Sequence, residues 1–185
     1  MNSAELNAFA RDTFRRCHIT LLTTTAAALD RHRLPAESQT FLTEVGLPDR
    51  QPFNFDFGLA VRLPTIAEVA QEQNVTTVVP EVCRDWPCIA WVIGSVVTLD
   101  PRQDAGARLI DLTGKDNPLF VNSRVELLGA SLAHYVALRA GSETLADKDR
   151  QKKLAERLTE LDPACLERED GWWQFVVEEV GYGLS

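Results

Sequence analysis

The hydrophobic rhythm of the chain changes twice along its length. Over residues 3–16, Leu6, Phe9, Ala10 and Phe14 recur at near-helical spacing with charges between them, which predicts a short amphipathic helix with Ser3 as its N-cap. Threonines and alanines over 19–29 leave strand and helix both open. Phe41, Leu42 and Val45 give 36–45 an apolar stripe, Pro35 stands just before it, and Gly46 and Pro48 stop it, so a second helix is expected there. The period then falls to two: Phe53, Phe55 and Phe57 alternate with Asn54 and Asp56. That pattern suits a core-facing strand or hairpin, or else an exposed aromatic contact patch.

From Val75 to Val121 the pattern is that of strands: 75–79, 88–93, 96–99, 107–112 and 119–121, separated by turns at 100–106 and 113–118. Short strands joined by tight turns predict an antiparallel meander. The helical period returns afterwards. Ser123 with Glu126 three residues on has the spacing of a capping box. Val125, Leu128, Leu132, Tyr135 and Val136 then mark one face up to Gly141. A charged helix follows over 145–161 on a Leu154, Leu158 and Leu161 stripe, broken by Asp162 and Pro163. A last helix over 172–180 buries Trp173, Val176, Val177 and Val180. Strands followed by a run of helices predict an α+β fold with segregated layers.

Length and charge narrow the function. One domain over 1–185 is expected, large enough to need no disulfide or metal staple. The 19 basic and 27 acidic residues give a net charge of −8. Residues 1–34 hold five basic and three acidic side chains, so the acid belongs to the rest of the chain. That balance disfavours nucleic acid and anionic membrane as partners, and it suits either simple solubility or attraction to a basic protein. The threonine-rich stretch after Arg15 and Arg16 makes a poor signal-peptide core, and the nine-residue apolar run 89–97 is too short to span a bilayer as a helix. Reduced, partly buried thiols in the cytoplasm are expected for Cys17, Cys83, Cys88 and Cys165.

No catalytic constellation is visible. The sequence lacks a G-x-S-x-G elbow, a P-loop, a G-x-G-x-x-G turn and an H-E-x-x-H helix. Cys83 and Cys88 have no second Cys/His pair to complete a zinc site, and Asp100 with Asp104 lacks the closing glutamate of a calcium loop. Trp172 and Trp173 lack the basic groove that a base-stacking platform needs. No enzyme activity, cofactor, metal or small-molecule substrate is therefore expected. What remains is a protein that binds another protein. The candidate contacts are the acidic turn and strand edge, Asp100, Asp104 and Asp111, and the aromatic loop with Phe53, Phe55 and Phe57.

Three stretches resemble a known family. Residues 41–48 (FLTEVGLP), 120–126 (FVNSRVE) and 161–163 (LDP) followed by Trp172 and Trp173 are similar, in order and spacing, to motifs of the SUKH superfamily of immunity proteins, and particularly of its fourth subfamily. Arg124 stands where a second serine is usual. The resemblance implies a single SUKH-like domain, with a central antiparallel sheet, N-terminal helices and a C-terminal helical layer. It further implies a cytoplasmic bacterial immunity protein that binds and neutralises a cognate polymorphic toxin domain, often a nuclease or nucleic-acid deaminase. The same fold would serve a regulatory or scaffolding module with no toxin partner. Within the resembling motifs, Gly46 is expected to take a left-handed C-cap, Asn122 and Ser123 to cap the following helix, and Trp173 to pin the last helix to the sheet.

Overall fold

The computed structural model describes residues 1–49, 55–75, 79–113, 118–141, 145–168 and 171–183. The first helix, α1, runs Ser3–Arg16. Its N-cap is Asn2 rather than Ser3. The Asn2 side chain accepts from the Glu5 amide at 3.0 Å, and the Glu5 carboxylate accepts from the Asn2 amide at 2.9 Å, a complete capping box. Ser3 is thereby left to donate to Glu37. The ambiguous stretch 19–29 resolves into a two-residue strand β1 (Leu21–Leu22) and a single helical turn α2 (Ala26–Leu29) capped by Thr25. Helix α3 (Ala36–Thr40) continues as a wider π turn through Val45, and β2 (Leu47–Pro48) pairs antiparallel with β1. Gly46 links them at φ +82°, ψ −170°. This is not the left-handed cap expected from sequence but an extended conformation open almost only to glycine.

After a 3₁₀ turn (Phe57–Val61), α4 (Ile66–Glu72) begins with a second capping box, Thr65 with Glu68. A four-stranded antiparallel meander follows in sequence order: β3 (Cys88–Val92), β4 (Ser95–Asp100), β5 (Gly106–Asp111) and β6 (Leu119–Asn122). The expected strand over 75–79 lies partly outside the described residues. Because side chains alternate across a strand, the sheet has two distinct faces. Val97 with Leu109 and Leu99 with Ala107 pair on the face that joins the main core. Val96 with Ile110 pair on the other face, against Ile66 and Val69 of α4 and the side chains of Cys83 and Trp86.

The C-terminal helical layer comprises α5 (Val125–Ala140), α6 (Asp147–Leu161), the single turn α7 (Ala164–Glu167) and α8 (Trp172–Gly181). Ten residues of α5 are buried, including Gly129, Ala130, Ser131 and Ala133, so the helix is enclosed rather than amphipathic. Small side chains let its neighbours approach closely. A Cβ on Gly129 would stand 2.3 Å from the Phe41 ring.

The junction between β6 and α5 differs from the expected capping box. Arg124 is the N-cap of α5, and it makes no side-chain cap. Asn122 and Ser123 instead turn to Asp162. Its Oδ2 accepts from Asn122 Nδ2 at 3.0 Å and from the Ser123 amide at 2.7 Å, while Oδ1 accepts from the Ser123 hydroxyl at 2.7 Å. Asn122 Nδ2 also reaches Ser131 Oγ, and Trp173 Nε1 donates to Asn122 Oδ1 at 2.9 Å. Two of the family-like stretches, 120–126 and 161–173, thus meet in one buried polar knot. Trp173 does pin the last helix to the sheet, through a hydrogen bond as well as through its buried area.

Glu126, freed from capping, is fully buried. Its Oε1 accepts from Ser38 at 3.1 Å, and its Oε2 has no partner among the described residues. Burial raises its pKa above the ordinary 4.5, assisted by Glu37 and opposed by Ser38 and Arg124. A raised carboxyl pKa means that the native state holds the proton more tightly than the unfolded chain does. Its stabilising effect is complete below the ordinary value and is lost as pH rises through the folded value. Glu126→Gln, which cannot ionise, should therefore gain on the wild type as pH rises above 4.5. Urea titrations of both proteins across that range check this, and parallel pH profiles would contradict it.

Candidate binding surfaces

Three of the four cysteines are buried, and two of the three histidines are buried or half-buried. Cys83, Cys88 and Cys165 are buried free thiols, and burial pushes Cys88 and Cys165 up to about 12. Such thiols stay protonated and are poor nucleophiles. His32 is tied to the Leu63 carbonyl at 2.8 Å. His134 on α5 lies against the Phe9 ring and borders a cleft of about 130 Å³ with Lys153, Leu154 and Arg157 of α6. Burial, reinforced by Arg157, lowers its pKa to about 4, so the imidazole is neutral at physiological pH. Among the described residues, no group of three or more His, Cys, Asp or Glu side chains could hold a metal, and no helix is long and apolar enough to cross a membrane.

The residues expected at a partner contact fall into different environments. Asp100, at the end of β4, is only 2% exposed. Arg102 closes on it in a two-toothed grip at 3.0 and 3.1 Å, and its own backbone amide adds a third bond to Oδ1. The Arg102 guanidinium also lies over the Trp86 ring, 4.8 Å from its centroid. Asp100 is thus a neutralised turn anchor, which corrects its expected place on an acidic surface. Asp104 is exposed, in the left-handed region at φ +49°. Asp111, at the end of β5, is half-buried and accepts from the Thr113 amide and hydroxyl.

The aromatic loop is also corrected. Phe53 lies outside the described residues. Phe55 and Phe57 are buried in the main core, with the Phe55 ring 4.9 Å from Trp172 and 5.7 Å from Phe57. The alternation was a signal of burial, so these two rings offer no area to a partner. Among the described residues of this stretch, the pairing is the bridge of Asp56 with Trp91, ahead of the 3₁₀ turn. Trp172 and Trp173 are both in the core, neither acting as an open platform.

Large apolar side chains are nevertheless exposed elsewhere. Ile93, at the two-residue turn between β3 and β4, is 92% exposed, Tyr182 76% and Phe175 53%. Composition alone could not find them. The spacing of Phe175 and Tyr182 could have done so, because both fall opposite the buried stripe of α8.

Comparison with known proteins follows the same direction. A family model described as SUKH-4 immunity protein matches residues 7–179. No curated protein and no solved structure matches the chain.

Proposed function

Because the chain belongs to the SUKH-4 immunity protein family, we propose that it works in the bacterial cytoplasm by binding and blocking the toxic domain of a cognate polymorphic toxin, without catalysing a reaction itself. Family membership carries toxin immunity in general terms. The specific partner, a nuclease or nucleic-acid deaminase domain, is our reading. The observation that carries it is the family match over nearly the whole chain, and the site chemistry supports it: Cys88 and Cys165 are buried with thiol pKa values pushed up to about 12, and burial lowers the His134 imidazole to about 4.

A domain that acts on nucleic acid needs a basic cleft to hold phosphates. A net charge of −8 would speed its encounter with this protein and would repel nucleic acid itself. Asp104, in the turn between β4 and β5, and Asp111, at the opposite end of β5, are candidate contributors. Co-expression with the toxin domain encoded beside this gene tests the reading. Restored growth together with a stable complex is the expected result. Continued growth arrest with no complex would overturn it.

A further inference from the structure

Helix α8 has two faces of opposite character. Trp172, Trp173, Val176 and Val180 are buried. Phe175, Glu178, Glu179 and Tyr182, spaced i, i+3, i+4 and i+7, are all exposed and form one continuous stripe on the other side. Two aromatic rings therefore stand in water at either end of a pair of carboxylates.

Among the described residues, no basic side chain balances those carboxylates. Glu68, Glu72, Asp147 and Glu160 each hold an arginine. Glu178 and Glu179 have no ion pair among the described residues, and residues 171–183 contain no lysine or arginine. They also sit in the last turn of α8, where the carbonyl ends of the helix already carry partial negative charge. Helix α1 shows the favourable arrangement, with Arg15 and Arg16 in its last turn. The end of α8 thus concentrates negative potential at a cost to its own stability, and it does so between two exposed aromatic rings. Trp173 ties the same helix to the β6 junction, so the stripe is presented on a rigid support and little ordering remains to be lost on binding.

We propose that this stripe is the centre of the docking surface for a basic protein domain. Phe175 and Tyr182 would act as aromatic anchors, and Glu178 and Glu179 would receive arginine or lysine side chains of the partner. Arginine suits the site best, since its planar guanidinium can stack on the rings while bonding the carboxylates. The inference rests on the reading above and gives it a contact surface: the partner is the basic toxin domain.

The experiment uses the full-length chain and the toxin domain encoded beside it, with affinity and association rate measured at low and moderate salt. Phe175→Ala with Tyr182→Ala should weaken the complex by about 30-fold or more, mainly through faster dissociation. Glu178→Lys with Glu179→Lys should weaken it by about 100-fold, with slower association at low salt. The charge-reversed protein should melt no lower than the wild type, because lysine suits a helix C-terminus, so its loss of binding would not be a folding defect. Asp104→Asn with Asp111→Asn should have a smaller effect than either pair. If the wild-type complex forms and both α8 double variants bind within about threefold of it, the surface is overturned while the toxin reading stands. If the wild type forms no complex, both are overturned.

Discussion

Asp162→Ala is expected to lower stability by about 3 kcal/mol, because three donors, one buried and two partly buried, lose their acceptor at about 1–3 kcal/mol each and their costs are not additive. These donors are Asn122 Nδ2, the Ser123 amide and the Ser123 hydroxyl, all within 3.0 Å of the carboxylate. In a chain of this size that corresponds to a fall of about 6–12 °C in Tm. Asp162→Asn separates geometry from charge. Its carbonyl oxygen can replace Oδ2, and its amide can donate to a Ser123 hydroxyl that turns to accept, so only the charge-assisted part is lost, about 1 kcal/mol. Thermal unfolding of the two variants checks the account. Equal losses would show that the knot depends on the charge itself rather than on the pattern of donors and acceptors.

The second large effect lies at Gly46. A Cβ there would stand 2.2 Å from the Leu22 carbonyl oxygen and 2.7 Å from the carbonyl carbon, both main-chain atoms. Main chain cannot rotate away as a side chain can, so Gly46→Ala must push apart the Leu22–Leu47 pairing of β1 and β2 as well as strain its own backbone. The expected loss is about 3 kcal/mol or more. Gly94→Ala is the control. Gly94 also has a positive φ, +76°, but a Cβ there meets nothing within 4 Å. Its cost should be near the conformational strain alone, about 1 kcal/mol. Denaturant midpoints for both variants measure the difference, and equal midpoints would remove the steric argument.

These two sites show what the sequence made legible. The meander and the C-terminal helices could be read because their signals are local: alternation and β-branching for strands, apolar stripes and stop residues for helices. The role of Gly46 as a special backbone position was readable in the same way, though its conformation was not. What could not be read is where a polar side chain finds a partner far along the chain. Ser123 and Glu126 have the spacing of a cap, yet their partners, Asp162 and Ser38, lie 39 and 88 residues away. Asp100 looked like a surface acid, but Arg102 folds back over it and the turn is closed from within. The alternation marked Phe55 and Phe57 for burial, while the pairing there among the described residues is one bridge. The outer stripe of α8 was present at helical spacing. Apolar periodicity directs attention to the buried face, so Phe175 and Tyr182 had to be read from their spacing opposite that face, and their exposure confirms the placement.

The buried knot also sets an order for synthesis. As the chain leaves the ribosome, β6 and α5 emerge with the Asn122 amide group lacking two of its partners, and these arrive only with residues 162 and 173. Until then the nascent sheet has an open polar seam and an uncovered apolar face, on which chaperones or proteases can act. A messenger cut short before Trp173 would yield a product that cannot close its core.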